Sequence, residues 1–98
     1  MELNSRQRAQ LRGMANTIPA LFQIGKAGIT EEVTDQLNLA LEARELIKIT
    51  VLETAPQSAR DTADALVRPL RAEVVQCIGR KVVLYRQSRT HKQIELCK

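Results

Sequence analysis

The stretch LFQIGKAGITEEV, residues 21–33, carries two of the chain's four glycines on either side of Lys26 and Ala27. The apolar residues that lead into it, 20–24, predict a short strand, and ITEEV at its end has the composition of a helix start. Glycine permits the positive φ and the close approach that tight turns need. The GKAG segment, residues 25–28, is therefore predicted to turn a strand into a helix, and the fold is built outward from this turn.

Helical and strand patterns alternate along the rest of the chain. Val33, Leu37 and Leu41 recur at helical spacing after the turn, and LIKITVL, residues 46–52, is rich in β-branched residues that alternate with others. Pro69 is expected to end or kink the helix that precedes it. In chain order, the predicted elements are a helix from Asn4 or Ser5 to about Ala15, a strand at 20–24, a helix at 30–44, a strand at 46–52, a helix from Ser58 to Pro69, and strands at 72–78 and 81–86 around a Gly79-Arg80 hairpin turn.

The order α-β-α-β-α-β-β predicts an α/β (α+β) fold with a four-stranded mixed sheet and helices mostly on one side. A chain of 98 residues buries one core, so residues 1–98 are predicted to form a single domain. Residues 87–98 are polar and are expected to be extended or partly ordered. Within this tail, only residues 92–96 have the pattern of an edge strand.

The charges are distributed unevenly along the sequence. The net charge of +4 divides into +3 over residues 1–28, −3 over 29–71 and +4 over 72–98. If the basic ends meet in space, the surface is polarised and a polyanion is its natural partner. Charge alone is equally compatible with a solvated basic surface that binds nothing.

The residues of common enzyme sites are few. His91 is the one histidine and lies in the polar tail, and Cys77 and Cys97 are too far apart for a CxxC motif. We therefore predict no catalytic residues, metal or cofactor, and reduced thiols in a cytoplasmic protein. Phosphate-binding signatures of nucleotide enzymes are absent from the sequence, which also lacks an apolar run long enough for a membrane span. Neither a small-molecule substrate nor a membrane is expected as a partner.

The GKAG segment is the best candidate for a binding site. The exposed N–H groups of a strand-to-helix turn attract anions, and Lys26 adds a mobile cation with three donors. This combination suits a phosphate of a nucleic-acid backbone. The alternative is that the glycines only shape the turn while Lys26 is solvated. Phe22 and Tyr85 are the only aromatic residues, so stacking on bases is expected to contribute little.

Several motifs together resemble one family. The segments are Leu3 to Arg12 with the pattern LxxxQRxxLR, FQIGKAGIT (22–30), LEARELIKITVL (41–52), VVQCIGRKVVLYR (74–86) and KQIEL (92–96). In this order they resemble the CRM domain, in particular the stand-alone bacterial YhbY-like members. The resemblance implies the same element order, similar to the C-terminal domain of translation initiation factor 3. It also implies RNA binding through a GxxG loop and association with precursors of the large ribosomal subunit.

The resulting hypothesis is a non-catalytic and monomeric RNA-binding protein that aids ribosome assembly. The alternative is a protein-interaction module that docks on a ribosomal protein without touching RNA. The residues expected to contact RNA are Gly25, Lys26, Ala27 and Gly28 of the loop, Arg6, Arg8 and Arg12 of the first helix, and Arg80, Lys81 and Arg86 of the last strands.

Overall fold

The computed structural model describes residues 2–98, and all seven predicted elements occur in it in the predicted order. The shortest is the first strand, which has three residues where the sequence predicted five. The elements are α1 (Ser5–Ala15), β1 (Phe22–Ile24), α2 (Glu31–Arg44), β2 (Leu46–Val51), α3 (Ala59–Leu70), β3 (Glu73–Ile78) and β4 (Lys81–Tyr85).

The four strands form one mixed sheet in the order β1-β2-β4-β3. β1 runs parallel to β2, with Phe22 opposite Ile49, because α2 carries the chain back to the start of the next strand. β4 is antiparallel to both of its neighbours, and Thr50 of β2 lies opposite Lys81. The predicted α+β fold with a mixed sheet is confirmed.

Alternation along β2 divides the apolar residues between two cores. Ile47 and Ile49 belong to the cluster that packs against α2 and α3 on one face of the sheet. Leu46 points to the other face, where it joins Leu11 of α1 and Tyr85 of β4. Two helices therefore cover one face and one helix covers part of the other, which agrees with the prediction of helices mostly on one side.

The helix ends follow local capping rules. Asn4 caps α1 in a reciprocal capping box, and Ser58 caps α3 by accepting from the N–H of Asp61 at 3.1 Å. Pro69 lies in the last turn of α3 and does not end it, since the helix continues for one more residue. Arg71 then adopts a left-handed conformation with φ 53°, the usual geometry for a helix C-terminus, although glycine is the common residue there.

The edge strand expected at residues 92–96 does not form. Glu45 is fully buried, and its carboxylate accepts hydrogen bonds of 2.7 Å from the N–H groups of Ser88, Gln93 and Ile94. Backbone N–H groups that a ladder would have used are thus bound to a side chain. Ile94 anchors the tail in the core beneath α1.

Candidate nucleic-acid interface

The GKAG segment forms a single tight turn at the end of β1. The N–H of Gly28 donates to the carbonyl oxygen of Gly25 at 2.9 Å, which places Lys26 and Ala27 at the exposed tip. Within residues 2–98, the N–H groups of Lys26 and Ala27 have no hydrogen-bond partner. Two free donors and an ammonium group on one tip are suited to an oxyanion.

Two other connections lie beside this turn, at what we call the loop end of the sheet. Gly28 packs against Pro56 of the β2–α3 connection, which brings residues 52–58 next to the turn. The β3–β4 hairpin reaches the same end, because the N–H of Val51 donates to the carbonyl oxygen of Arg80 at 2.7 Å. The guanidinium of Arg80 forms an exposed ion pair with Glu53, so its charge is partly compensated.

Between the loop end and α1, part of one sheet face remains uncovered. Lys48 and Thr50 of β2 point to this side, opposite Ile47 and Ile49, and Lys81 of β4 lies beside them. The Lys81 Nζ donates to the Thr50 Oγ1 at 2.8 Å. We call this surface, consisting of Lys48, Thr50 and Lys81, the open face.

Lys48 was missed in the sequence analysis, although the signal was present. Alternation in LIKITVL places Lys48 and Thr50 on the face opposite the isoleucines, and alternation in the last strand places Lys81, Val83 and Tyr85 on one face. What the sequence did not reveal is that these two faces are the same side of the sheet. Pairing of β2 with β4 brings them together.

The orientation of α1 places two arginines on its side away from the tail. Gln7 and Gln10 occupy one side of the helix and donate to tail carbonyl oxygens at 2.9 and 2.8 Å. Arg8 and Arg12, one turn apart, occupy the other side. The Arg8 guanidinium donates to the carbonyl oxygen of Val74 on β3, which fixes this arginine over the edge of the sheet. Arg12 is half-buried, whereas Arg6 is exposed to solvent.

Arg86 is separated from the other predicted contact residues. It follows β4 at the opposite end of the sheet, five residues and about 16 Å from Lys81 along the strand. Its guanidinium donates to Asn38 Oδ1 at 2.6 Å and to the Leu70 carbonyl oxygen at 2.9 Å, and lies 3.6 Å from the Glu42 carboxylate. The structure therefore assembles the loop, Arg80 and Lys81 at one end and uses Arg86 to join α2, α3 and β4 at the other.

Other site types receive little support from residues 2–98. No group of three histidine, cysteine or acidic residues in this part of the chain could hold a metal ion. His91 is exposed and its Nδ1 is 2.8 Å from the Thr90 hydroxyl. Among the same residues, no helix combines the length and apolar character that crossing a bilayer would require.

Comparison with known families matches this architecture to one of them. A sequence model described as the CRS1/YhbY (CRM) domain matches residues 3–86. The chain belongs to the CRM domain family. The CRM match extends from the residue before the α1 cap to the end of β4, and so includes the GKAG turn and the whole sheet.

Proteins similar to this chain are found in several bacteria. The chain is 44% identical over 94 residues to the probable RNA-binding protein YqeI of Bacillus subtilis. The aligned residues cover 96% of the chain and 98% of that relative. It is 34% identical over 90 residues to an RNA-binding protein of Haemophilus influenzae, covering 92% of the chain and 91% of the relative. The solution structure of SAV1595 from Staphylococcus aureus superposes with a TM-score of 0.81 at 42% identity, covering 98% of this chain and 100% of that one.

Proposed function

We propose that the chain is a non-catalytic RNA-binding protein that holds its RNA by the phosphate backbone. The observation that carries this proposal is the pair of unpartnered N–H groups at Lys26 and Ala27, next to an uncovered sheet face with two lysines. The curated relatives YqeI and the Haemophilus protein are both named for RNA binding. The contact surface would be the GKAG turn, the open face, and Arg8 and Arg12 of α1.

The distribution of aromatic side chains favours backbone contacts over base stacking. Tyr85 is fully buried beneath α1, and Phe22 packs against the core on the other face. Proteins that read single-stranded bases stack them on exposed aromatic rings. Without such a ring, affinity comes from charge and shape, and counterion release makes it dependent on salt.

We further propose that the RNA is ribosomal RNA of the large-subunit precursor and that the protein acts as a cytoplasmic monomer during assembly. This proposal extends the family resemblance of the GKAG, ELIKI and VLYR motifs. It assigns the chain a supporting role in RNA folding, in which a small cationic surface binds a structured RNA element and leaves no covalent change.

A salt titration tests the contact surface. Lys26→Ala, Lys48→Ala and Lys81→Ala proteins are compared with the unaltered protein for binding to a transcript of the large-subunit precursor. Each is expected to bind more weakly. Each should also make the negative slope of log K against log salt less steep, by roughly 0.7–0.9. Lys92→Ala is the matched control, because this exposed tail lysine pairs with Glu95 outside the proposed surface.

Two outcomes contradict the proposal. The contact surface is wrong if the three variants bind the transcript with the same affinity and salt slope as the Lys92→Ala control. RNA binding itself is wrong if the protein remains on precursor particles after nuclease digestion at high salt, as the protein-docking alternative requires. A transcript of equal length and unrelated sequence separates general RNA affinity from preference for the ribosomal precursor.

A further inference from the structure

An apolar groove lies at the edge of the sheet formed by β1, which is shorter than the neighbouring strand β2. The groove has a volume of about 370 Å³, and its walls include Met14, Ile18, Leu21 and Leu46. Leu21 is 54% exposed and Met14 38% exposed, and they are two of the four large apolar residues that are exposed within residues 2–98. Exposed apolar side chains that converge on one depression are characteristic of an interaction surface.

The strand register shows that the part of β2 beside the groove has no strand partner on that side. β1 begins at Phe22, opposite Ile49, so the first three residues of β2 have β4 as a neighbour on one side only. The backbone of Glu45 and of Val51 is bonded to β4 and its hairpin. Because alternate residues of a strand turn their backbone groups to opposite sides, those of Leu46 and Lys48 face the groove.

Within residues 2–98, one of these groups is already paired, because the register of Phe22 opposite Ile49 makes the Lys48 carbonyl oxygen the acceptor of the Phe22 N–H. In the same part of the chain, the N–H groups of Leu46 and Lys48 donate no hydrogen bond to the segment that leads into β1 or to any side chain. A free stretch of strand edge is a template for pairing with another extended chain. An added segment would pair with these N–H groups of β2, beside the residues that lead into β1.

The charges at the groove select the chemistry of such a segment. Arg44 and Lys48 line it, and no acidic residue does. A partner with carboxylates beside an apolar side chain would therefore be complementary, while a basic segment would be repelled. The apolar side chain would fill the space between Leu21 and Met14.

We propose that this groove binds an extended peptide segment of a partner protein, in which apolar and acidic residues alternate, by addition of a strand to β2. This mode combines main-chain hydrogen bonds for affinity with side-chain pockets for specificity. The groove is separate from the GKAG turn but shares Lys48 with the open face, so a peptide and RNA would compete for that side chain. Two unpaired N–H groups on successive outward-facing residues of β2 favour a peptide over an extruded nucleobase, which has no repeating backbone to pair with a strand edge.

The test uses a fluorescently labelled synthetic octapeptide of alternating valine and glutamate, with a valine–lysine octapeptide as the charge control. Binding is followed by fluorescence anisotropy and by amide chemical shifts of the full chain. We expect the acidic peptide to bind, to shift the Leu46 and Lys48 amides, and to bind at least ~10-fold more tightly than the basic peptide. Leu21→Glu should weaken binding by ~10-fold or more because it places a like charge in the groove.

Leu39→Glu is the matched control, since Leu39 is also exposed, at 69%, but lies on α2 and does not line the groove. Thermal unfolding establishes that both variants are folded. The proposal is overturned if the acidic peptide fails to bind at about 1 mM, or if the two variants bind it equally. It is also overturned if an oligoribonucleotide, and not the peptide, shifts the amides of the groove. Loss of RNA binding in Lys26→Ala alone would leave the peptide result unchanged.

Discussion

The two glycines of the GKAG turn have different structural roles. Gly28 has φ of 70°, and a Cβ there would lie 2.9 Å from Pro56 Cγ. Gly25 does not have a positive φ, and its Cβ would meet Leu52 Cδ1 at 3.4 Å, an ordinary contact. In the sequence alone, the two glycines look equivalent. The positive φ of Gly28 and its contact with Pro56, almost thirty residues away, distinguish the two glycines.

We therefore predict that Gly28→Ala destabilises the fold, while Gly25→Ala does not. The left-handed backbone alone costs an alanine about 1–2 kcal/mol, and the contact with Pro56 adds to this loss. Gly25→Ala should change the free energy of unfolding by less than about 0.5 kcal/mol. Urea denaturation measures both. Equal losses in the two variants would contradict the different roles assigned to them.

Tyr85 is a second position where a single atom matters. Its ring is fully buried, and its hydroxyl has no hydrogen-bond partner among residues 2–98. Burial, and after it the charge of Glu45, raises the pKa of Tyr85 above its usual value.

Tyr85→Phe is accordingly expected to retain or increase the free energy of unfolding, by up to about 1 kcal/mol, because a buried hydroxyl without a partner is costly. Tyr85→Leu, which removes ring contacts, serves as the comparison and should lose stability. A loss of more than ~1 kcal/mol in Tyr85→Phe would mean that the hydroxyl forms a hydrogen bond in solution.

At the scale of the element, the tail is held by two carboxylates near the end of α2. Glu45 binds three tail N–H groups, as described above. Glu42 Oε2 accepts from the hydroxyls of Ser88 and Thr90 at 2.7 and 2.9 Å and from the Arg89 N–H at 2.9 Å. These hydrogen bonds, with that of Ser88 the strongest influence, lower the pKa of Glu42 to about 2 from 4.5. A polar tail is thus ordered by acids that lie more than forty residues before it.

The lowered pKa predicts a specific dependence on pH. A carboxylate with a depressed pKa in the folded state contributes stability that is present above its unfolded pKa and is lost as pH falls toward the folded value. Glu42→Gln should therefore be less stable than the unaltered protein at pH 6, and the difference should shrink between pH 4.5 and about 2. Glu95→Gln is the control, because that tail carboxylate is largely exposed. A difference that stays constant from pH 6 to about 2 would contradict the assignment.

At the scale of the whole molecule, basic residues lie at both ends of the sheet. Lys26, Lys81 and Arg80 lie at the loop end, while Arg86 joins three elements at the other. Substitutions of basic residues that look equivalent in the sequence are therefore expected to differ in their effects on the free energy of unfolding and on RNA binding.

Arg86→Ala should lower the free energy of unfolding by roughly 1–3 kcal/mol, because the partly buried Leu70 carbonyl oxygen and Asn38 lose a charged donor. Lys81→Ala should leave stability nearly unchanged and weaken RNA binding. Denaturation and RNA titration of the two proteins, each under conditions where it is folded, distinguish these effects. Reduced RNA affinity in folded Arg86→Ala, as large as in Lys81→Ala, would place Arg86 in the contact surface.

The sequence by itself determined the order of the elements, most of their bounds and the faces of the strands. These features depend on periodicity and capping over a few residues, as in the Ser58 cap and the alternation of LIKITVL. It also determined the position of the GKAG turn.

Only the tertiary structure decided which distant residues meet. Lys48 lies beside Lys81, and Arg86 lies away from the loop end. The N–H groups of the tail donate to Glu45 in a segment where a strand was expected. The physical reason is that strand order and register are set by packing of the whole core. A local pattern specifies the direction of a side chain relative to its own strand, and the neighbour that it finds depends on residues far along the chain.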